Sequence, residues 1–189
     1  MNKVIIVDTE TGGLDASKHS ILSLGAVAVE NYKIIDEFEV LIREPVLHLT
    51  PEAMRINKID ILKISHEGVS AWDAVTRFRR YTMDHFMPTS KANLGGHNIH
   101  FDVSFLKRLW SFGVTELYYD ACFSHRIIDT ASIIRFLMMS GRIELTSAGL
   151  TDACKYFGVT IPEGERHTAL GDARATANLL IKMMELIRQ

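Results

Sequence analysis

The first residues in this chain that could do chemistry are two carboxylates at the end of an apolar run. Asp8 and Glu10 follow residues 4–7, which are Val-Ile-Ile-Val, and two glycines end the stretch. Such a run is typical of a strand buried on both faces of a sheet. Side chains alternate along a strand, so Asp8 and Glu10 point one way and Thr9 the other. Two like charges held this close favour a divalent cation between them. The alternative, equally open at this point, is that both acids are solvated at a loop edge.

The composition fits a single domain over residues 1–189. The chain has 189 residues, is 47% hydrophobic and carries a formal net charge of −2. That charge argues against a wholly basic nucleic-acid binder but allows a basic rim around an acidic site. Cys122 and Cys154 lack metal-type or redox-type spacing, which favours a reducing compartment. The N-terminus is too short for a signal peptide and no stretch has the length of a membrane span, so we expect a cytoplasmic protein with no membrane partner.

The residues after the opening strand predict a β-meander. Residues 21–30 and 33–42 are predicted strands, and their short connection makes them antiparallel. In the second of them, alternation predicts one face made of Ile34, Phe38, Val40 and Ile42. A short strand is predicted over 92–96 and a helix over 146–156.

Two further carboxylates lie in the first turns of predicted helices. Asp102, in a helix predicted over about 100–110, precedes apolar residues by three, four and seven positions and therefore lies on their buried face. Asp172 lies on the buried side of a helix predicted over about 168–187, and His167 comes just before that helix. A carboxylate that faces a core needs a partner. For Asp102, the alternative is that it only caps its helix.

Four acids thus lie at the ends of core elements: Asp8, Glu10, Asp102 and Asp172. None has an obvious basic residue at salt-bridge spacing on the core face. Four converging carboxylates would repel one another strongly without cations. Two divalent metals roughly 3.5–4 Å apart would neutralise them and clamp both oxygens of an in-line phosphoryl displacement. Histidine has an ordinary pKa of about 6.5, so His167 could accept a proton from water near neutral pH.

Three segments carry a resemblance to a known family: Asp8-Thr9-Glu10-Thr11, His97-Asn98-Ile99-His100-Phe101-Asp102 and His167-Thr168-Ala169-Leu170-Gly171-Asp172. They resemble the three motifs of the DEDDh 3′–5′ exonucleases, in the family's order and across nearly the whole chain. That family includes the proofreading subunit of the bacterial replicative polymerase, ribonuclease T and oligoribonuclease. The histidine five residues before the last aspartate indicates the DEDDh branch rather than the tyrosine-containing one.

The resemblance implies a fold, a reaction and a role for each motif residue. Asp8, Glu10, Asp102 and Asp172 would hold two Mg²⁺ or Mn²⁺ ions, and His167 would be the general base. The fold would be α/β and ribonuclease H-like, with a central mixed five-stranded sheet flanked by helices. The reaction would release nucleoside 5′-monophosphates from the 3′ end of single-stranded nucleic acid, with DNA slightly favoured over RNA.

Substrate contacts are expected from six residues: Thr9, Thr11 and Gly12 through backbone groups, Leu14 and Met54 against the last base, and Asn98 by orienting the loop that carries Asp102. Core packing is an equal alternative for Leu14 and Met54, since single apolar residues usually pack. Four cations are further candidates for phosphate contacts, with solvated surface as the default for each: Lys107, Arg108, Arg142 and Arg166.

Several alternatives stay open at the level of the sequence. One is an RNA-processing 3′–5′ exoribonuclease of the ribonuclease T or oligoribonuclease kind, since contacts to the 2′-hydroxyl decide the choice. Another is a non-catalytic module that binds nucleic-acid ends or a polymerase. A polymerase and a second copy of the chain are the alternative protein partners. The lack of a long tail after the last predicted helix favours a stand-alone nuclease over a proofreading subunit.

Overall fold

A computed structural model describes residues 3–57, 59–86, 91–112 and 118–188. The strands in these ranges are β1 (Lys3–Thr11), β2 (Ile21–Glu30), β3 (Lys33–Leu41), β4 (Leu94–Gly96) and β5 (Ile128–Asp129). The helices are α1 (Pro51–Asn57), α2 (Ile61–Glu67), α3 (Ala71–Phe86), α4 (His100–Ser111), α5 (Tyr119–Cys122), α6 (Thr130–Met139), α7 (Leu150–Tyr156) and α8 (Ala169–Ile187). Among the residues described, no helix is both long and apolar enough to cross a membrane.

The strands form one mixed sheet in the order β3-β2-β1-β4-β5. The first three strands are antiparallel neighbours, as predicted from the short turn between β2 and β3. The chain then crosses over to β4 and β5, which run parallel to β1. The predicted mixed five-stranded sheet flanked by helices is confirmed, and β1 lies at its centre.

The central strand is buried on both faces, as its apolar run predicts. Ile5 and Val7 pack into one hydrophobic core with residues of α3 and α4. Val4 and Ile6 pack into a second core with residues of α6, α7 and α8. Because the side chains of β1 alternate, Asp8 and Glu10 continue the side that faces α8.

The prediction that Ile34 shares a face with Phe38 is wrong. Ile34 pairs with Val29, whereas the next pair joins Asp36 to Ala28, so a β-bulge leaves Ile35 without a partner in β2. One extra residue reverses the side on which all earlier side chains lie. Ile34 accordingly packs against the core under α8, and Phe38 against the core under α3.

The helix predicted over 146–156 begins later, at Leu150. Gly149 has an extended backbone (φ −68°, ψ 149°), and its N–H donates to Ser147 Oγ at 3.0 Å. This local hydrogen bond competes with a helical turn, which explains the later start. The last helix agrees with prediction except that Thr168 is its N-cap and accepts a hydrogen bond from the N–H of Gly171 at 3.1 Å.

Gly25 allows the sheet and α8 to approach closely beside the acids. It is the β2 partner of Asp8. A Cβ at this position would lie 2.3 Å from the carbonyl carbon of Ala169, the first residue of α8. A glycine inside a strand often marks such a close backbone approach. The first turn of α8, with Asp172, therefore lies directly against the end of β1.

Candidate active site

Three of the four predicted acids form one cluster. Asp8 and Glu10 come from the end of β1, and Asp172 comes from the first turn of α8. One carboxylate oxygen from each lies within 4.8 Å of the others. Strand alternation and the close contact at Gly25 together produce this convergence, which no single element could create.

The cluster is short of positive charge. Burial, reinforced by the charges of Asp102, Glu10 and Asp172, holds the pKa of Asp8 well above its usual range. Burial first, and then the charges of Asp172 and Asp102, raise the pKa of Glu10 from 4.5 to about 7. Each shift means that the ionised carboxylate is disfavoured where it lies. A cation at this position would reverse that balance.

The donor set fits a divalent metal ion. Asp172 Oδ1 is buried and has no hydrogen-bond partner among the described residues. A buried carboxylate oxygen without a partner is costly, so its presence calls for a ligand. The three carboxylates offer only oxygen atoms, which suit Mg²⁺ or Mn²⁺. Asp8, Glu10 and Asp172 could therefore hold such an ion.

Asp102 lies beside this cluster but on the other face of β1. Its Oδ1 accepts hydrogen bonds from the backbone N–H and the hydroxyl of Thr9, both at 2.8 Å. Burial raises its pKa to about 7, although the bonds from Thr9 act in the opposite direction. Its charge in turn raises the pKa of Asp8. Asp102 therefore links α4 to β1. It does not serve only as a cap of its own helix.

Asp172 has a basic partner that does not lie at salt-bridge spacing on the core face. Arg166 Nη1 donates to Asp172 Oδ2. Its Nε and Nη2 donate to Thr151 Oγ1 at 3.2 and 2.7 Å. The sequence did not indicate this pair, because Arg166 lies in a loop six residues before Asp172 and helical spacing does not apply to a loop residue.

His167 lies next to the cluster in the chain, just before α8. Its backbone is in the left-handed region, with φ 62°. With Ser23, Asn57 and Ala169, the first residue of α8, it lines a cavity of about 190 Å³. His167 is not one of the three residues whose ligand atoms converge. Its assignment as general base stays a prediction.

An ion-pair network fixes the loop before His167. Arg174 in α8 donates to both carboxylate oxygens of Glu37, at 2.8 and 2.7 Å, and also to Glu165. Thr168 Oγ1 donates to the carbonyl of Glu165 at 2.8 Å. The loop is therefore held on both sides of Arg166 and His167.

The predicted substrate residues near the strand end are engaged within the chain. The N–H of Thr9 donates to Asp102, and the N–H of Gly12 donates to the carbonyl of Ser20 at 2.7 Å. Thr11 Oγ1 donates to the carbonyl of Gly13 at 2.8 Å. Their contacts to a nucleotide stay predictions.

The remaining substrate candidates differ in exposure. The side chain of Leu14 is 87% exposed, so core packing does not explain it. Met54 is only partly buried on α1. Asn98 has φ 60°, a conformation that asparagine tolerates, and its N–H donates to Asp129 Oδ1 at 2.8 Å. Arg108, a candidate for phosphate contacts, is paired with Glu44 instead.

Sequence reasoning missed three residues that shape the site. Asn57 Nδ2 donates to the carbonyl of Thr11 at 3.1 Å and so fixes the end of β1; nothing in its local sequence indicates this. Thr151 binds Arg166 from α7, which long-range packing alone determines. Gly25 could have been found, because a glycine in a predicted strand signals close approach.

Comparison with known proteins gives the family. The family model RNase_T, described as "Exonuclease", matches residues 5–180. A "DNA polymerase III PolC-type" protein of Pediococcus pentosaceus is 30% identical over 178 residues, which cover 94% of this chain and 11% of that protein. The Bacillus subtilis protein of the same name is 30% identical and is covered over 11% of its length. A "Ribonuclease T" of Buchnera aphidicola is 26% identical, covering 95% of this chain and 82% of that protein.

Solved structures agree on the fold. Escherichia coli Exonuclease I in complex with a dT13 oligonucleotide superposes with a TM-score of 0.80 at 17% identity, covering 98% of this chain and 41% of that one. Exonuclease I from Methylocaldum szegediense gives a TM-score of 0.77 at 18% identity, again covering 98% and 41%. This chain spans about a tenth of the polymerase relatives named above. It belongs to the exonuclease family, and the resemblance to the DEDDh exonucleases is confirmed.

Proposed function

We propose that this member of the exonuclease family is a metal-dependent 3′–5′ exonuclease. It would hydrolyse the terminal phosphodiester bond of single-stranded nucleic acid and release nucleoside 5′-monophosphates. The observation that carries the proposal is the convergence of Asp8, Glu10 and Asp172, with one buried carboxylate oxygen of Asp172 unpaired. A purely structural cluster would gain nothing from such repulsion.

Asp8, Glu10 and Asp172 would hold the divalent ions, Mg²⁺ or Mn²⁺, with Asp102 completing the set for a second ion from the opposite face of β1. When bound, the ions would supply Lewis-acid stabilisation of negative charge on the scissile phosphate and on the departing 3′-oxygen. Asp102 is held by two hydrogen bonds from Thr9, so its carboxylate is oriented before any ion binds. Such preorganisation avoids rearrangement during the reaction.

His167 would be the general base. A water oxygen attacks the terminal phosphorus, the bond from phosphorus to the 3′-oxygen breaks, and His167 takes the proton that the water loses. The leaving 3′-oxygen receives a proton from solvent. The network of Arg174, Glu165 and Glu37 would limit the positions that His167 can reach, because it fixes the residues just before it.

Single-stranded DNA is the substrate we favour. The similar Exonuclease I structures include complexes with dT13 and dA16 oligonucleotides. The PolC-type relatives are DNA polymerases by name, which supports a polymerase context. The second candidate is a 3′–5′ exoribonuclease, favoured by the match to a "Ribonuclease T" over 82% of that protein's length.

The test is a time course on two 5′-labelled single-stranded oligonucleotides, one DNA and one RNA. Each is incubated with Mn²⁺, with EDTA, and with the Asp8→Ala protein in Mn²⁺. We expect a metal-dependent ladder that shortens from the 3′ end and is absent in the variant. The faster of the two ladders identifies the preferred sugar. No shortening of either oligonucleotide in Mn²⁺ would contradict the proposal and favour a binding module.

A further inference from the structure

We propose that Arg166 is the internal counter-ion of the metal-free site and that a divalent ion displaces it from Asp172. The inference rests on the proposed metal site and adds a competing residue to it. Arg166 would therefore set the affinity of the site for metal rather than take part in the reaction.

The position of Arg166 supports this role. Its guanidinium is divided between two partners, with one nitrogen on Asp172 Oδ2 and two on Thr151 Oγ1. Asp172 keeps its other oxygen, Oδ1, buried and unpaired. Half of this carboxylate is thus occupied by an internal cation while the other half is available to an external one.

The charges make the two cations competitors. Among the described residues, Arg166 is the one basic side chain whose ion pair reaches the cluster of Asp8, Glu10 and Asp172. An ion bound to Oδ1 would stand within a few ångströms of the guanidinium on Oδ2 of the same carboxyl group. At that separation like charges repel strongly, because the Asp172 side chain is only 10% exposed and water screens the pair poorly. The divalent ion would bind three carboxylates, whereas Arg166 binds only one. We therefore expect the ion to displace Arg166 from Asp172.

The displacement needs only a side-chain movement. Glu165, just before Arg166, is held by Arg174 and by the hydroxyl of Thr168. The side chain of Arg166 is 29% exposed, so its guanidinium can turn towards solvent when it leaves Asp172. The backbone can therefore stay in place while the carboxylate of Asp172 changes partner. Loss of the ion pair between Arg166 and Asp172 opposes metal binding.

The first test is a calorimetric titration of the metal-free protein with Mn²⁺. Arg166→Gln should bind Mn²⁺ about tenfold more tightly than the unaltered protein, because charged hydrogen bonds of this kind contribute about that factor. Arg188→Gln is the matched control. It removes the same charge sixteen residues after Asp172 along α8, roughly 24 Å away and beyond the Debye length at physiological salt, so its Mn²⁺ affinity should not change.

A second variant leaves Arg166 itself in place. Thr151→Val keeps the side-chain shape and removes the two hydrogen bonds that anchor the guanidinium, so Arg166 should hold Asp172 less firmly. We expect Mn²⁺ affinity to rise by roughly 2- to 10-fold. Unchanged or weaker Mn²⁺ binding in both Arg166→Gln and Thr151→Val would overturn the inference.

Thermal unfolding gives a readout independent of affinity. In EDTA, Arg166→Gln should lower Tm by about 2–4 °C, since the ion pair is then intact in the unaltered protein. In saturating Mn²⁺ the two proteins should unfold within about 1 °C of each other. An equal loss of Tm in both conditions would mean that metal leaves the pair intact.

These outcomes separate the inference from the proposed function. If the unaltered protein takes up no Mn²⁺, the metal site and the role of Arg166 both fail. If it binds Mn²⁺ and shortens labelled oligonucleotides while Arg166→Gln and Thr151→Val both keep the same affinity, only the role of Arg166 fails.

Discussion

Glu44 and Asp172 are both buried carboxylates paired with an arginine, yet their surroundings differ. Both oxygens of Glu44 are occupied: Arg108 donates to each, the N–H of Ile21 donates to Oε1 at 3.0 Å, and Ser20 Oγ donates to Oε2 at 2.9 Å. Asp172 has one oxygen on Arg166 and one without a partner.

The difference separates a structural carboxylate from one prepared for a ligand. The side chain of Glu44 is 3% exposed, and its full set of hydrogen bonds offsets the desolvation of its charge. Asp172 is nearly as buried, at 10% exposed, and faces Asp8 and Glu10 rather than additional donors. We therefore expect mutation of Asp172 to affect catalysis and mutation of Glu44 to affect stability.

The largest effect is expected from Asp172→Asn. The variant keeps the shape of the side chain but removes a negative ligand, and metal ions supply several kcal/mol of charge stabilisation. Cleavage of a 5′-labelled single strand in Mn²⁺ should fall by at least about 10³-fold. The circular dichroism spectrum should stay that of the unaltered protein. A drop of less than about tenfold would mean that Asp172, like Glu44, has a structural rather than a catalytic role.

His167→Asn should slow turnover by roughly 10²–10⁴-fold, the usual contribution of a general base. Asparagine tolerates the left-handed backbone at φ 62°, so loss of rate would not come from backbone strain. Mn²⁺ affinity should be unchanged, because His167 lies outside the acidic cluster.

The pH–rate profile of His167→Asn provides the check. The dependence of kcat on pH should differ between the two proteins, because only the unaltered protein has an imidazole at this position that can accept the proton from water. Identical profiles in both proteins would assign His167 a positioning role.

Glu44→Gln should lower the free energy of unfolding by about 3 kcal/mol, because it leaves the Arg108 charge in a largely buried place without its counter-charge. Urea denaturation measures this loss. The rate of cleavage per folded molecule should be retained, since Glu44 lies outside the acidic cluster. A Glu44→Gln protein that is stable but inactive would give Glu44 a role in catalysis and would contradict this account.

The smallest effect is the dependence of stability on pH in EDTA. The folded state binds the proton of Glu10 more tightly than the unfolded state, since the pKa rises from 4.5 to about 7. The group therefore lowers stability as pH rises from about 4.5 to 7, and the loss is complete above pH 7. Glu10→Gln should gain about 1–3 kcal/mol over the unaltered protein at pH 8. In urea denaturation the gain should be smaller at pH 5; an equal difference at both values would contradict this account.

The sequence predicted much of this arrangement because side chains alternate regularly along strands and recur at regular spacing along helices. Alternation along β1 separated Asp8 and Glu10 from Thr9, and helical spacing put Asp102 on the buried face of α4, where it is 3% exposed. The short connection between β2 and β3 also predicted their antiparallel pairing.

The rest depended on features that local periods do not encode. The β-bulge at Ile35 turned Ile34 to the other core. The pair between Arg166 and Asp172 joins a loop to a helix, and Thr151 reaches it from α7. Such contacts follow from tertiary packing, which no spacing rule describes.

The most direct test of the central claim is a calorimetric titration of metal-free protein with Mn²⁺, with Asp172→Asn and Glu44→Gln titrated alongside. We predict saturable binding by the unaltered protein, the same affinity in folded Glu44→Gln, and at least about tenfold weaker binding by Asp172→Asn. No saturable binding by the unaltered protein, or equal affinity in Asp172→Asn, would contradict the assignment of Asp8, Glu10 and Asp172 to a metal site.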